Sequence, residues 1–158
     1  MSLFLEDFVV GERVELGAYA FDREEMLAFA RRYDPQPFHL DEEAAKASIY
    51  GSLIASGWHT CSAFMRCFIG WMELQRRKAA ERGDDLPPVG VAAGVSGLRW
   101  PAPVRPGDVV SYSTTVLSKR AVHRPGWGIV TRRSIGVNQN GVEVLDLTSV
   151  IMTGRRPT

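Results

Sequence analysis

Hydrophobic residues follow a helical spacing in the first half of this chain and an alternating spacing after about residue 88. Apolar positions three and four apart indicate helices, whereas alternation indicates strands. One irregular strand precedes the helices. The predicted elements are a strand from Arg13 to Phe21, a helix from its N-cap Asp22 to about Tyr33, a short helix from Glu42 to Lys46, and a long helix from Trp58 to about Glu81.

The long helix carries large apolar side chains around most of its first turns. These residues are Trp58, Phe64, Met65, Phe68, Trp71, Met72 and Leu74. A helix that is apolar on most faces is usually buried. We therefore expect this helix to lie at the centre of the molecule, while its polar end, Gln75 to Arg82, projects into solvent.

Long strands fill the second half of the chain and are separated by turns rich in Pro and Gly. They run from Val89 to Trp100, Asp108 to Val122, Gly128 to Asn138 and Val142 to Thr153. The Asn140-Gly141 pair is typical of a tight hairpin, because both residues tolerate positive φ. Together with the N-terminal strand, these segments supply a curved antiparallel sheet of about five strands that can wrap the long helix. We predict an α+β hotdog fold.

We expect one domain over residues 1–158, since the chain has the size of a single domain. The sheet of this fold has open edges, and pairing the edges of two copies hides their free hydrogen-bonding groups. A homodimer, or an oligomer of dimers, is therefore expected.

Charge and composition argue against several classes of function. The net charge is +1, so no bulk field favours nucleic acid or an anionic membrane. No apolar stretch reaches the roughly 18 residues of a membrane span. The first residues reach Glu6 and Asp7 too early for a secretory signal, which favours the cytoplasm. Cys61 and Cys67 match no metal-binding spacing, and we expect no metal site.

The segment Asp34-Pro-Gln-Pro-Phe-His39 holds a carboxylate and an imidazole five positions apart. Its two prolines fix their own φ and push the residues before them into extended geometry, so we predict a rigid loop without helix. A fixed acid/base pair suits the addition or elimination of water next to a carbonyl group. The residues alone also permit a structural role, in which Asp34 caps a turn and His39 packs against Phe38.

Three segments together resemble the MaoC-like dehydratase family, which includes the R-specific enoyl-CoA hydratases. They are Tyr33 to Asp41 with the following Ala44-Ala45, Ile54 to Gly57, and Trp100-Pro101 through Arg105 to Asp108. The resemblance implies a hotdog dimer that reversibly hydrates a trans-2-enoyl thioester of coenzyme A or a carrier protein, without a metal or redox cofactor. It also implies that Asp34 and His39 hold and activate the water.

Gly57 matches the family's glycine whose backbone N–H binds the thioester oxygen. It lies where the long helix begins, and a helix N-terminus offers free N–H groups and a positive dipole end. One such donor contributes about 3 kcal/mol in a transition state. The alternative is a glycine that only the turn requires. Ser56 is expected to be a structural N-cap.

The chain departs from the family pattern at Gln36, where the family commonly has Asn, and at Met65, where some hydratases have Ser. Ser62 lies one turn away from Met65. Further candidates for substrate binding are Gln36, Trp58, His59, Ser62, Arg99 and Arg105. Trp58 would line an acyl tunnel, and the arginines suit phosphate groups. His59 is alternatively a hydrogen-bonded core histidine, and Lys119, Arg120 and Arg124 are equally placed for phosphates.

Two other functions are compatible with the same fold. A thioesterase would need a carboxylate on the central helix, but the helix has no Asp or Glu before Glu73. A non-catalytic subunit that binds acyl thioesters would not need the Asp34/His39 pair. The hydratase is therefore the primary hypothesis.

Overall fold

The computed structural model describes residues 3–157. Apart from a 3₁₀ turn at Leu5–Asp7 ahead of the first strand, its helices and strands follow the predicted order and, with one exception, begin and end within about two residues of the predicted bounds. In chain order they are β1 (Arg13–Ala20), α1 (Arg23–Tyr33), α2 (Pro37–Leu40), α3 (Glu42–Lys46), α4 (Gly57–Glu81), β2 (Val91–Arg99), β3 (Val109–Ala121), β4 (Trp127–Asn138) and β5 (Glu143–Gly154). The predicted domain also includes residues 1, 2 and 158, which lie outside the described residues.

The exception is α2, one helical turn inside the segment that was predicted to contain no helix. That prediction is wrong from Pro37 onwards. Pro37 occupies the first helical position, where its missing N–H is not needed and its fixed φ suits the helix. Gln36 is the extended N-cap residue, with φ −78° and ψ 144°. Gln36 therefore has the extended geometry predicted before a proline, whereas Asp34, which caps the end of α1 with φ −151° and ψ 67°, is outside the helical region but not fully extended.

All strands of the described chain join in one antiparallel sheet with the order β1-β3-β4-β5-β2. The predicted hairpin links β4 to β5, and Gly141 has a φ of 77° there. Strands β1 and β2 form the two edges of the sheet. The predicted five-stranded antiparallel sheet beside one long helix is confirmed.

A buried aromatic core joins α4 to the sheet. Tyr112 of β3 is fully buried and its hydroxyl donates a hydrogen bond to the carbonyl of Thr60 at 3.1 Å. The Phe64 ring lies 6.0 Å from the Tyr112 ring. Because Thr60 is in the first turn of α4, this hydrogen bond fixes the start of the helix against the sheet.

One face of α4 is exposed, so the prediction that this helix is buried on most faces is wrong. Trp58, Met65 and Ile69 are 56%, 46% and 45% exposed. They face an open groove of ≈480 Å³ whose opposite side includes Val95 of the exposed edge strand β2. A single sheet covers one side of the helix and leaves this groove open. Among residues 3–157, no helix is long and apolar enough to cross a bilayer.

Candidate active site

The site is built on the turn between α1 and α2, which presents a carboxylate and an imidazole on one side. The Asp34 N–H donates to the Ala30 carbonyl at 2.9 Å and so ends α1. The Gln36 N–H then donates to the Asp34 carbonyl at 2.8 Å, and the His39 N–H donates to the Gln36 carbonyl at 2.9 Å. These consecutive backbone hydrogen bonds make the turn rigid, as the two prolines predict.

The Asp34 carboxylate accepts hydrogen bonds on both oxygens. Gln36 Nε2 donates to Oδ1 at 2.9 Å, and the Ser56 hydroxyl donates to Oδ2 at 2.7 Å. Partial burial raises the pKa of Asp34, but these hydrogen bonds and the nearby His39 ring outweigh it and hold the pKa below its usual value. Asp34 is therefore a carboxylate at neutral pH. Its remaining lone pairs can accept a proton from water.

His39 is buried, and both of its ring nitrogens face oxygen atoms. Nδ1 lies 2.9 Å from the carbonyl of Ile54, and Nε2 lies 3.3 Å from Asp34 Oδ2. A carbonyl oxygen only accepts, so Nδ1 carries the proton and Nε2 is the atom that gains or loses one. Nε2 and Oδ2 are close enough for one water molecule to contact both atoms.

Gly57 is the first residue of α4, and Ser56 is its N-cap. The Ser56 hydroxyl accepts a hydrogen bond from the Trp58 N–H at 3.2 Å while it donates to Asp34. The Gly57 N–H precedes the helical hydrogen-bond ladder and is available as a donor. A Cβ at Gly57 would lie 2.5–2.9 Å from atoms of the Trp100 indole. Glycine is thus required here by the close approach of that ring.

A cavity of ≈440 Å³ brings the predicted catalytic residues together. Asp34, His39 and Gly57 all line it, as do Gln36 and Trp58 of the predicted binding residues. Its other walls come mainly from the loop before α4 and from Trp100 to Val104 after β2. A bound molecule in this cavity can therefore contact a carboxylate, an imidazole and a helix N-terminus at once.

Two predicted binding residues on α4 lie away from this cavity. His59 is buried, and its ring stacks on Phe29 at 4.7 Å and packs edge to face with Phe21 at 5.0 Å. It is a core histidine, but its Nδ1 has no hydrogen-bond partner within residues 3–157. Burial lowers its pKa. Ser62 is exposed, and its hydroxyl donates to the Trp58 carbonyl at 2.9 Å.

The two predicted arginines bind protein groups and do not line the cavity. Arg99 Nη2 forms an ion pair with the buried Asp146 carboxylate at 2.5 Å, which also binds Arg133. Arg105 donates to the Ser52 hydroxyl and, at 3.0 Å, to the Tyr50 carbonyl. Tyr50 lines the cavity. Arg105 therefore supports the wall of the cavity from behind.

Sequence reasoning missed two parts of the site. Ser56 was predicted as a cap, but its contact with Asp34 depends on how α1 and α4 pack and has no local signal. Trp100 was predicted at the end of a strand and in the turn segment after it, but not in the site, and it forms a cavity wall with its ring 5.4 Å from the Trp58 ring. No group of three or more His, Cys, Asp or Glu side chains within residues 3–157 is placed to hold a metal ion.

The chain is similar to several known proteins over nearly its full length. The family described as MaoC like domain matches residues 7–138. The solved MaoC-like dehydratase from Rhodospirillum rubrum is 40% identical, with a TM-score of 0.82 over 99% of this chain and 100% of that one. An uncharacterized Bacillus subtilis protein, YdeM, is 28% identical and covers 90% of this chain and 92% of its own.

The fold is shared with more distant proteins. The R-hydratase PhaJ1 from Pseudomonas aeruginosa is 22% identical, with a TM-score of 0.69 over 98% of this chain and 88% of that one. The predicted hotdog fold is confirmed by this likeness. The family match over residues 7–138 and the 40% identity to the Rhodospirillum rubrum dehydratase show that the chain belongs to the MaoC-like dehydratase family.

Proposed function

We propose that this protein is an (R)-specific enoyl-CoA hydratase, which in reverse is a 3-hydroxyacyl thioester dehydratase. The observation that carries the proposal is the 3.3 Å approach of His39 Nε2 to Asp34 Oδ2 beside the Gly57 N–H in one cavity. The reaction is a reversible syn addition of water to a trans-2-enoyl thioester. Membership of the MaoC-like family supports this reaction class.

In the proposed mechanism, Asp34 and His39 hold one water molecule between them. Asp34 is already a carboxylate, so it takes a proton as the water oxygen bonds to the β-carbon of the enoyl group. His39 Nε2 orients the same water, because Nδ1 is fixed by the Ile54 carbonyl. The proton held at this pair is then delivered to the α-carbon on the same face. Positioned acid/base groups of this kind contribute about 10²–10⁴-fold in rate.

The Gly57 N–H supplies the third element of the mechanism. Attack at the β-carbon moves negative charge onto the thioester oxygen, and a preorganised donor at a helix N-terminus stabilises that charge. The missing Cβ allows Trp100 to lie directly beside this donor. The substrate is a coenzyme A or carrier-protein thioester, and the proposed proton transfers require no metal or redox cofactor.

We also propose that two copies associate through the exposed face of α4 and the edge strand β2. Trp58, Met65 and Ile69 on the helix and Val95 on the strand are exposed and line one apolar groove. The edge of β2 also presents unpaired backbone groups. Light scattering after size-exclusion chromatography should give a dimer for the unmodified protein and a monomer for Val95→Lys. A monomeric unmodified protein would reject this interface.

The proposed activity is tested with crotonyl-CoA and longer trans-2-enoyl-CoA thioesters. Hydration removes the conjugated thioester absorbance without releasing free thiol, and chiral analysis should give the (R)-3-hydroxyacyl product. Free thiol release would indicate a thioesterase instead. That function has little support, because Glu73, the first acidic residue of α4, does not line the Asp34 cavity. Binding without turnover of any chain length would indicate a non-catalytic acyl-thioester-binding subunit.

A further inference from the structure

Arg132 places a positive charge at a core position of the sheet. It lies on β4 between Val130 and Ser134, and alternation along the strand directs all three to the buried face. Arg132 is only 2% exposed. An arginine in such a position is rare unless an anion or a set of hydrogen-bond acceptors binds its guanidinium.

No hydrogen bond or ion pair within residues 3–157 involves the Arg132 guanidinium, and its Nη1 is buried without a partner. The guanidinium lies over the Phe8 ring at 4.8 Å and near the Phe68 and Trp71 rings at 5.9 Å each. These cation–π contacts offset part of the cost of burial. They do not satisfy the N–H donors, which need acceptors in a fixed planar arrangement.

Glu12 is the acidic residue whose charge acts on Arg132. Burial lowers the pKa of Arg132 to about 10, and the negative charge of Glu12 acts in the opposite direction by raising that pKa. The guanidinium is therefore charged at neutral pH. The Glu12 carbonyl accepts from the Val116 N–H, and Val116 is paired with Arg132. Glu12 is thus two strands from Arg132, about 10 Å between backbones. No ion pair joins the two side chains, and Glu12 Oε2 is likewise buried without a hydrogen-bond partner.

An apolar cavity of ≈330 Å³ opens next to Arg132. Phe8, Met72, Val130 and Ile151 form part of its wall. Two other charged residues, Glu73 and Arg76, also line it, and Arg76 Nη1 is bound to the Pro87 carbonyl at 2.9 Å. The cavity shares no lining residue with the one that contains Asp34 and His39. Its volume is in the range of small-molecule sites, about 300–1,000 Å³.

We propose that this cavity binds a medium-chain alkyl carboxylate, with its carboxylate on the Arg132 guanidinium and its chain against the apolar wall. Arg132 supplies the unpaired donors that a carboxylate accepts, and guanidinium–carboxylate pairs have matching geometry. The surrounding aromatic and aliphatic side chains favour an apolar body over inorganic phosphate or sulfate. The site is separate from the proposed hydratase chemistry and does not depend on it.

The test is calorimetric titration of the full-length protein with octanoate and, separately, with octanol. Octanoate should bind more tightly than octanol and should change the fluorescence of Trp71, which lies beside Arg132. Arg132→Met should weaken octanoate binding at least about tenfold, the loss expected for a hydrogen bond to a charged group, and leave octanol binding unchanged. Arg120→Met, at an exposed position, is the control that removes the same charge.

The proposal is overturned if octanoate binds no better than octanol, or if Arg132→Met binds octanoate as well as the unmodified protein. Replacing a buried charge by an apolar side chain of similar length usually preserves folding, which circular dichroism checks. If Arg132→Met does not fold, Glu12→Gln decides the question. It removes the carboxylate that acts on Arg132, so octanoate should bind more tightly, and equal or weaker binding overturns the proposal.

Discussion

The Ser56 hydroxyl donates a 2.7 Å hydrogen bond to Asp34 Oδ2 while it caps the helix that begins at Gly57. One side chain thus joins the carboxylate to the start of the helix that presents the proposed N–H donor. The distance between these two groups is set by the Ser56 rotamer and by the packing of α1 against α4. Catalysis by such groups is sensitive to displacements of about 1 Å.

Ser56→Ala should lower both stability and activity. Loss of the N-cap should reduce the free energy of unfolding by about 1 kcal/mol. Loss of the charge-assisted hydrogen bond should lower kcat/KM for crotonyl-CoA hydration about tenfold or more. Urea denaturation and initial rates measure the two effects. Ser62→Ala is the matched control, because Ser62 is exposed and its hydroxyl bonds only within α4; equal losses in both variants would contradict the link to Asp34.

Gln36→Ala should shift the acidic limb of the pH–rate profile to higher pH. Its amide stabilises the ionised form of Asp34, whose pKa lies below the ordinary 3.8, so removing it raises that pKa. Because the pKa of Asp34 is lower in the folded protein than in the unfolded chain, ionised Asp34 adds to the free energy of unfolding above the pKa of the unfolded chain. This contribution is lost as the pH falls through the pKa of the folded protein. The position of the acidic limb is measured from kcat/KM for crotonyl-CoA hydration at a series of acidic pH values.

Gln139→Ala provides the control for this shift. It removes a similar amide–carboxylate hydrogen bond, 2.7 Å long, to Asp108, and neither residue lines the Asp34 cavity. Its profile should match that of the unmodified protein. If the acidic limb of the Gln36→Ala profile lies at the same pH as that of the unmodified protein, Asp34 is not the group whose ionisation produces the limb.

Much of this architecture could be predicted because its signals are local. Alternation predicted the strands, and Asn140-Gly141 predicted the hairpin. Asp22, a typical N-cap residue, marked the start of α1, where its carboxylate accepts hydrogen bonds from the Glu24 and Glu25 N–H groups. The turn at α2 was missed because proline was taken only as a helix breaker. At the first position of a helix the same residue favours helix formation.

The predictions that failed depend on packing between distant segments. Trp58 and Met65 are as apolar as the buried Phe64, so the sequence does not distinguish them. Which of these side chains the sheet covers depends on the position of β2. The same packing places Arg99 opposite the buried Asp146 of β5, a pairing that the sequence does not reveal, and its role in phosphate binding stays a prediction. The burial of Arg132 could not be predicted from its neighbours in sequence, because an arginine in a strand with alternating apolar and polar residues indicates the exposed face.

Gly57→Ala should lower hydration activity on the order of 10²-fold, the effect of a displacement of about 1 Å at a reacting centre. The added Cβ would lie within 2.9 Å of three atoms of the Trp100 ring, so the ring or the helix start must move. The double variant Gly57→Ala with Trp100→Ala should regain activity relative to Gly57→Ala alone, because it removes the clash.

Gly70→Ala is the control for this substitution. Gly70 also lies in α4, but no heavy atom is within 4 Å of its added Cβ. Alanine there should raise stability by up to about 1 kcal/mol and leave activity unchanged. If Gly57→Ala is as active as Gly70→Ala, the close approach of Trp100 has no catalytic importance.

His59→Phe should make stability less dependent on pH. Burial lowers the pKa of His59 from 6.5, so below that pH the unfolded state binds a proton that the folded state resists. Stability from this group is present above about pH 6.5 and falls on acidification, by at most about 1.4 kcal/mol per pH unit. Urea denaturation at pH 7.5 and pH 5.5, comparing the variant with the unmodified protein, isolates the difference.

Hydration should be almost unchanged in His59→Phe, because His59 packs among Phe21, Phe29 and Tyr19 and does not line the Asp34 cavity. A large loss of activity in a folded His59→Phe protein would instead assign His59 to the reaction. An identical pH dependence in both proteins would show that the histidine titrates normally.

The most direct test of the proposed site is the rate of crotonyl-CoA hydration by Asp34→Asn and His39→Ala. The first substitution keeps the shape of the side chain and its capacity to accept from Ser56 but removes the proton acceptor, and the second removes Nε2. Each variant should lose at least about 10²-fold in kcat/KM at unchanged circular dichroism, while Arg99→Ala, outside the cavity, keeps full activity. Hydration at the unmodified rate in either folded variant would contradict the acid/base role of the pair.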